Sequence, residues 1–157
     1  MSKIEIGKKA PSFKILNQNE LVKTNKDYIG KWLVLYFYPK DNTPGCTKEA
    51  VDFTELKKKF AAKNAEIVGV SADSPSKHIN FIKKQSLKIE LLSDEEKSNL
   101  EKFGVWQLKK MAGREYMGIV KTTFLIDPDG KIAFIWPKVK VNGHVEAVLE
   151  KLIELQK

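Results

Sequence analysis

The sequence predicts an α/β fold in which helices flank both faces of a central mixed β-sheet. Residues 32–38 form an unbroken apolar run rich in aromatic and β-branched residues, which is typical of a strand buried on both faces of a sheet. Segments of helical periodicity alternate with such runs along the chain. An Asp-Pro-Asp-Gly turn at residues 127–130 separates two further strand-like runs, which indicates a hairpin and therefore a mixed sheet.

The first predicted unit is a βαβ segment. The strand over residues 32–38 ends at Pro39, and the N-cap side chain at position 43 followed by Pro44 predicts the start of a helix. That helix runs to residue 62, because apolar side chains recur at steps of three and four: Ala50, Phe53, Leu56 and Phe60. Residues 66–71 form the second strand.

The rest of the chain continues the alternation and closes the predicted sheet. The expected elements are a helix opened by Ser74-Pro75, a strand over 89–92, a short helix through Leu100 and Phe103, a hairpin of strands 119–126 and 131–136, and a helix over 144–156. We expect residues 1–157 to form a single domain, because 157 residues with 42% hydrophobic content can bury one sizeable core.

Cys46 is the only cysteine of the chain and falls at the third position of the first predicted helix. There it faces unpaired backbone N–H groups and the positive end of the helix dipole, both of which stabilise a thiolate. A thiolate is the nucleophilic form of cysteine. The alternative interpretation is a small buried hydrophobe at the end of a core face.

The residues around Cys46 resemble the active-site loop of peroxiredoxins. Pro39, Thr43 and Cys46 match the proline, threonine and cysteine of that family at its spacing, and residues 38–50 are similar to the bacterioferritin-comigratory, or peroxiredoxin Q, branch. Further matches lie at residues 10–13, 70–74 and 123–130. The resemblance implies a thioredoxin-like fold and reduction of peroxides, in which Cys46 becomes a sulfenic acid and is then reduced by a thiol. It implies no cofactor and no metal.

The resemblance also implies roles for the neighbours of Cys46. The Thr43 hydroxyl would donate a hydrogen bond to the peroxide, and Pro39 would shield the sulfur from water. The alternative for Thr43 is a plain helix N-cap, which is compatible with the first role. Glu49, one turn after Cys46, matches a glutamate common in the branch and is expected to pair with Lys121 and orient it. The alternative for Glu49 is a solvated helix charge.

Two positions depart from the family pattern. Many members of the branch carry a resolving cysteine five positions after the first, where this chain has Val51. Val51 is either native or an engineered replacement of such a cysteine. The arginine that the family places before its Thr-Phe-Leu-Ile-Asp strand is Lys121 here, which keeps a positive charge but loses the planar fork. Arg114, the only arginine, is expected to be a surface charge.

With one cysteine, the sequence predicts a one-cysteine mechanism. An external thiol (thioredoxin, glutaredoxin or a low-molecular-weight thiol) would reduce the sulfenic acid of Cys46, or two chains would join through a Cys46–Cys46 disulfide. We otherwise expect a monomer. The alternative function is that of a noncatalytic thioredoxin-fold binding module, in which replacement of the family arginine by Lys121 has abolished peroxidase activity.

Composition and charge bear on the other function classes. A lone thiol, the lack of an apolar segment in residues 1–9 and the lack of a membrane-length apolar run predict a cytoplasmic protein without a membrane partner. The net charge of +8 suggests nonspecific contact with nucleic acid, but lysine clusters at 57–59 and 83–84 lie on outer helix faces and predict no specific nucleic-acid partner. His78 and His144 are expected at the surface, too far apart in sequence to form a metal site.

Overall fold

The computed structural model describes residues 4–157 and contains strands and helices in alternation. The strands are β1 (Lys14–Asn17), β2 (Val22–Thr24), β3 (Trp32–Phe37), β4 (Ala65–Ser71), β5 (Glu90–Ser93), β6 (Trp106–Met111), β7 (Arg114–Ile119), β8 (Thr122–Ile126) and β9 (Ile132–Trp136). The helices are α1 (Pro44–Ala62), α2 (Pro75–Gln85), α3 (Ser98–Lys102) and α4 (His144–Leu155), with a 3-10 turn at Asn25–Tyr28.

Seven of these strands form one mixed sheet in the order β2-β1-β5-β4-β3-β8-β9. The central strands β3, β4 and β5 run parallel, whereas β8 pairs antiparallel with β3 and β9 antiparallel with β8. The predicted fold class, a thioredoxin-like mixed sheet with helices on both faces, is therefore confirmed.

Strand β3 is buried on both faces, as its continuous apolar sequence predicts. Val34 and Tyr36, together with Tyr38 just beyond the strand, belong to a core that includes side chains of α1, α2 and α4. The intervening residues Leu33, Leu35 and Phe37 belong to a second core that includes Leu100 of α3 and the segment around Phe13. Since successive side chains of a strand point to opposite faces, one apolar run supplies both cores.

The sequence analysis missed four strands. Strands β1 and β2 form an edge hairpin, and β6 and β7 form a separate two-stranded sheet. The prediction of one strand over 119–126 was wrong, because the chain changes sheet between β7 and β8. At that point the Val120 N–H donates to the Val105 carbonyl at 2.9 Å, and the Thr122 hydroxyl donates to the Val120 carbonyl at 2.9 Å.

The topology brings two separate segments to one end of the sheet. Helix α1 starts beyond the C-terminal end of β3, and the antiparallel register pairs Phe37 of β3 with Thr122 of β8. Lys121 therefore lies beside the exit of β3, near the start of α1. The Val139 N–H donates to the Lys121 carbonyl at 2.8 Å and fixes the backbone there. Among residues 4–157, no helix combines the length and the apolar character needed to cross a membrane.

Candidate active site

Helix α1 begins as the sequence predicts, with Cys46 in its first turn. Thr43 is the extended N-cap residue, Pro44 is the first helical residue, and Cys46 is the third. The Thr47 N–H donates to the Thr43 carbonyl at 2.8 Å and closes the first turn. Residues 39–43, which we call the Cys46 loop, connect β3 to this turn.

The surroundings of Cys46 favour negative charge. Cys46 is only 2% exposed. In the part of the chain that the structure describes, the backbone N–H groups of Gly45 and Cys46 donate no hydrogen bond. The Lys121 amine lies so close to Gly45 that a Cβ atom at position 45 would be 2.6 Å from Nζ. Free helix-terminal donors and one cation therefore lie together, where a thiolate or a departing oxyanion gains most from them.

Thr43 caps the helix by its backbone but not by its side chain. Its hydroxyl donates to the Lys40 carbonyl at 2.8 Å, inside the Cys46 loop, and makes no cap hydrogen bond. The Thr43 hydroxyl hydrogen, which we expected to be donated to the peroxide, is therefore donated within the loop in this structure. The hydroxyl oxygen keeps lone pairs that can accept a hydrogen bond from a peroxide O–H. Pro39 is half-buried at the exit of β3.

Glu49 is buried on α1, one turn after Cys46, which rules out the solvated helix charge considered from the sequence. It is 1% exposed, and neither carboxylate oxygen has a hydrogen-bond partner among the residues that the structure describes. Burial raises the pKa of Glu49 to about 8, and the charge of Lys121 opposes this rise without cancelling it. The expected contact ion pair is absent, since no Lys121–Glu49 pair within 4 Å occurs between described residues.

Sequence reasoning missed Tyr36, which is fully buried on β3. Within the described part of the chain, its hydroxyl has no hydrogen-bond partner. Burial raises the pKa of Tyr36 well above its usual value, with smaller contributions from Glu49 and Cys46. In the sequence, this tyrosine is indistinguishable from the other aromatic residues of a buried strand. Tyr36 and Glu49 are therefore two buried polar groups near Cys46 that have no hydrogen-bond partner among residues 4–157.

The expectation that both histidines are exposed was wrong. His144 is 6% exposed and its Nε2 lies 2.8 Å from the Thr123 hydroxyl. Burial lowers the pKa of His144 to about 4, so its imidazole is neutral at neutral pH. His78 is fully buried and lies 2.7 Å from Asp41 of the Cys46 loop. Both imidazoles are held in the interior by polar partners that the sequence places far away.

Asp41, Asp73 and His78 bring three ligand-type atoms within 4.8 Å of one another. Both nitrogens of His78 are engaged, Nδ1 with Asp41 and Nε2 with the Leu92 carbonyl at 2.9 Å. Because no ring nitrogen is free, the group is a hydrogen-bonded network in this structure.

The two family departures lie in different surroundings. Val51 is half-buried on α1 and packs against the core that contains Cys46. Lys121 lies beside the helix start, whereas Arg114 is exposed at the turn between β6 and β7, as predicted. A cavity of about 560 Å³ lies at the starts of β4 and β5 rather than at Cys46, so it does not belong to this site.

Comparison with known proteins places this geometry in a family. The sequence profile described as the AhpC/TSA family matches residues 6–135. Peroxiredoxin Bcp of Bacillus subtilis is 50% identical over 153 residues, which cover 97% of each chain. The chain belongs to the AhpC/TSA family. Within it, the relatives place the chain in the Bcp, or peroxiredoxin Q, branch. Peroxiredoxin Bcp of Escherichia coli is 36% identical over 98% of this chain and 99% of its own length.

Solved structures of this branch share the architecture. Peroxiredoxin Q of Xanthomonas campestris aligns with a TM-score of 0.88 and 41% identity over 92% of both chains. A mutant of Xylella fastidiosa PrxQ aligns with a TM-score of 0.93 and 38% identity over the full length of both. The bacterioferritin comigratory protein of X. campestris, described by its alkyl peroxide reduction activity, is 38% identical with a TM-score of 0.91. Membership of this peroxiredoxin branch indicates the general activity of a thiol peroxidase.

Proposed function

We propose that this peroxiredoxin reduces hydrogen peroxide and organic hydroperoxides by a one-cysteine mechanism centred on Cys46. The observation that carries the proposal is the lone Cys46, buried in the first turn of α1 beside two unbonded N–H groups and the Lys121 amine. The nucleophilic sulfur of Cys46 thus lies in the same helix turn as N–H groups, and beside an amine, that can stabilise a departing oxyanion.

The reaction balances as a two-electron transfer. The Cys46 thiolate attacks one peroxide oxygen, so that the S–O bond forms while the O–O bond breaks, and the second oxygen leaves as an alkoxide or hydroxide that takes up a proton. Sulfur is oxidised to sulfenic acid and the peroxide is reduced to an alcohol or water. Two external thiols then restore the Cys46 thiol, releasing water and a disulfide between the two donors.

The residues around Cys46 would bind the peroxide, exclude water and stabilise the departing charge. Thr43 would hold the peroxide through its hydroxyl oxygen, Pro39 would limit water at the sulfur, and Lys121 would stabilise charge on the departing oxygen. Glu49 would influence Lys121 through space rather than by contact, because the ion pairs between described residues do not include these two groups, although the Lys121 charge lowers the pKa of Glu49 against the effect of burial. Thioredoxin, glutaredoxin and small thiols are the candidate reductants in the cytoplasm, and no specific nucleic-acid or membrane partner is proposed.

Lys121 supplies charge without the two-pronged geometry of an arginine. We expect Lys121→Arg to raise the second-order rate of Cys46 oxidation, because two parallel donors would orient the peroxide better. Stopped-flow oxidation with hydrogen peroxide measures the change, and Lys121→Ala provides the opposite control with a lower rate. An Arg variant no faster than the parent protein would contradict this role.

The one-cysteine proposal is tested by intact mass after rapid mixing of reduced protein with one equivalent of hydrogen peroxide, alongside Cys46→Ser. Rapid, cysteine-dependent gain of one oxygen, reversed by thiol, is expected. Oxidation no faster than that of an ordinary thiol would contradict the proposal and favour the noncatalytic binding module. Excess peroxide should then add a second oxygen to Cys46, because no resolving cysteine competes for the sulfenic acid.

A further inference from the structure

His78 is joined to the Cys46 loop by a buried hydrogen bond that the mechanism above does not use. Its Nδ1 lies 2.7 Å from Oδ2 of Asp41, although 37 residues separate the two in sequence. His78 is fully buried and Asp41 is 6% exposed. A short bond between ionisable groups out of water is strong, and either partner left alone there would be costly.

The second nitrogen of His78 fixes the imidazole to the sheet. Nε2 lies 2.9 Å from the Leu92 carbonyl, and because a carbonyl oxygen can only accept, Nε2 carries a proton. Since a hydrogen bond needs one hydrogen, the Nδ1–Asp41 bond contains a proton carried by either the imidazole or the carboxyl group. His78 therefore links β5, through Leu92, to the middle of the Cys46 loop.

Other elements hold Asp41 at the same time. The Tyr38 hydroxyl donates to Asp41 Oδ1 at 2.6 Å, and the Asp41 N–H donates to Asp73 Oδ2 at 2.9 Å. The Ser71 hydroxyl, at the end of β4, also donates to that Asp73 oxygen, at 2.7 Å. The ends of β3 and β4 thus hold the loop residue that sits between Pro39 and Thr43.

We propose that His78 is a positioning residue for peroxide reduction, which acts through Asp41 to hold Pro39 and Thr43 in place in the loop that leads to Cys46. This inference rests on the proposed peroxidase function. Without the His78 bond, Asp41 would keep the Tyr38 and Asp73 bonds but lose the partner of Oδ2. The less restrained loop would then carry Thr43 away from the line between sulfur and peroxide. A displacement of about 1 Å in a reacting geometry can cost roughly 100-fold in rate.

Two substitutions at position 78 separate positioning from core stability. An asparagine places its amide near the position of Nδ1, where it can donate to Asp41 but cannot reach the Leu92 carbonyl. A glutamine places its amide near the position of Nε2, where it can donate to Leu92 but leaves Asp41 without this partner. Both remove the imidazole from the core, so a merely structural role would slow both variants alike.

The test measures peroxide oxidation, iodoacetamide alkylation and unfolding free energy for His78→Gln and His78→Asn. We expect His78→Gln to lose about 10- to 100-fold in the peroxide rate, and His78→Asn to stay within about threefold of the parent protein. Alkylation needs the thiolate but no alignment of a peroxide, so neither variant should slow it. His144→Gln is the matched control, because it alters a buried histidine that bonds Thr123 rather than the loop.

Three outcomes would each overturn the inference. They are a peroxide rate in His78→Gln equal to that of the parent protein, equal slowing of both variants, and slowing of His78→Asn alone. If His78→Gln does not fold, Asp41→Ala removes the same bond from the loop side and should lose the same factor. An unchanged peroxide rate in Asp41→Ala would overturn it equally. A parent protein that reacts like an ordinary thiol would instead refute the proposed function, so the two failures are distinguishable.

Discussion

Glu49 is a buried carboxyl group that has lost its hydration without gaining a hydrogen bond from any residue between 4 and 157. Burial raises its pKa from 4.5 in the unfolded chain to about 8 in the folded protein. Between these values the folded state holds a proton that the unfolded state has released, so the stability contributed by Glu49 falls as pH rises. Relative to Glu49→Gln, the parent protein should lose up to about 1.4 kcal/mol per pH unit across this window.

Denaturant unfolding of both proteins at a series of pH values measures this difference. Glu55→Gln is a suitable control, because Glu55 lies on the same helix and is exposed to solvent. Its unfolding free energy should follow that of the parent protein at every pH. Parallel curves for the parent protein and Glu49→Gln would mean that Glu49 finds a compensating partner in solution.

Gly45 is the residue whose missing side chain makes room for Lys121. A Cβ atom in Gly45→Ala would lie 2.6 Å from Nζ, so the flexible amine must move away from the helix start. Stability should stay equal or rise by up to about 1 kcal/mol, because alanine favours helix more than glycine does. The peroxide rate should fall, because the cation moves away from the developing charge.

A double-mutant cycle with Lys121→Ala isolates this mechanism for Gly45→Ala. If the alanine acts through the amine, the double variant should oxidise no more slowly than Lys121→Ala alone. Additive losses in stopped-flow measurements would show that residue 45 affects the site by another route, such as the position of its N–H.

Helix α1 sets the geometry available to any resolving cysteine at position 51. Residues five apart in a regular helix have Cα atoms roughly 8.7 Å apart, beyond the ~7 Å that a disulfide can bridge. In Val51→Cys, peroxide should therefore join Cys46 to the introduced thiol only if the first turns of α1 unwind. The expected outcome is complete loss of free thiols with a fall in the far-ultraviolet helix signal.

The parent protein, treated identically, should keep its helix signal because it has no second cysteine. Val51→Ser tests whether a polar side chain at this half-buried position unwinds α1 by itself. A disulfide formed without loss of helix would show that α1 is already irregular between residues 46 and 51.

The same elements show which parts of the fold the sequence reveals. Strand β3 and the start of α1 were predictable, because continuous apolar residues and the Thr43-Pro44 pair are local signals. The β6–β7 hairpin gives no such signal: it projects as a two-stranded sheet, with side chains such as Leu108 and Met111 exposed. The link between His78 and Asp41 was unpredictable for another reason, since the packing of α2 beside β5 brings together residues that lie 37 positions apart in the chain.

In the molecule as a whole, the burial of Cys46 determines which thiols can reach and reduce its sulfenic acid. The residue is 2% exposed, whereas a disulfide requires two sulfur atoms within about 2.05 Å. Two intact molecules cannot bring their Cys46 sulfurs so close unless the first turn of α1 opens in both. We therefore expect stoichiometric peroxide to yield monomer carrying one added oxygen, rather than a Cys46–Cys46 dimer, even at high protein concentration.

Nonreducing electrophoresis and intact mass, without added thiol, distinguish the two products. Lys58→Cys in a Cys46→Ser background supplies the control, because Lys58 is exposed on α1 and its replacement should dimerise readily under an oxidant. Parent protein that dimerises as fast as this surface cysteine would show that α1 opens easily, and pairing between two copies would then be an effective route of resolution. Slow dimerisation with rapid reduction by a small thiol would mean that access to the buried sulfur, more than thiol chemistry, selects the reductant.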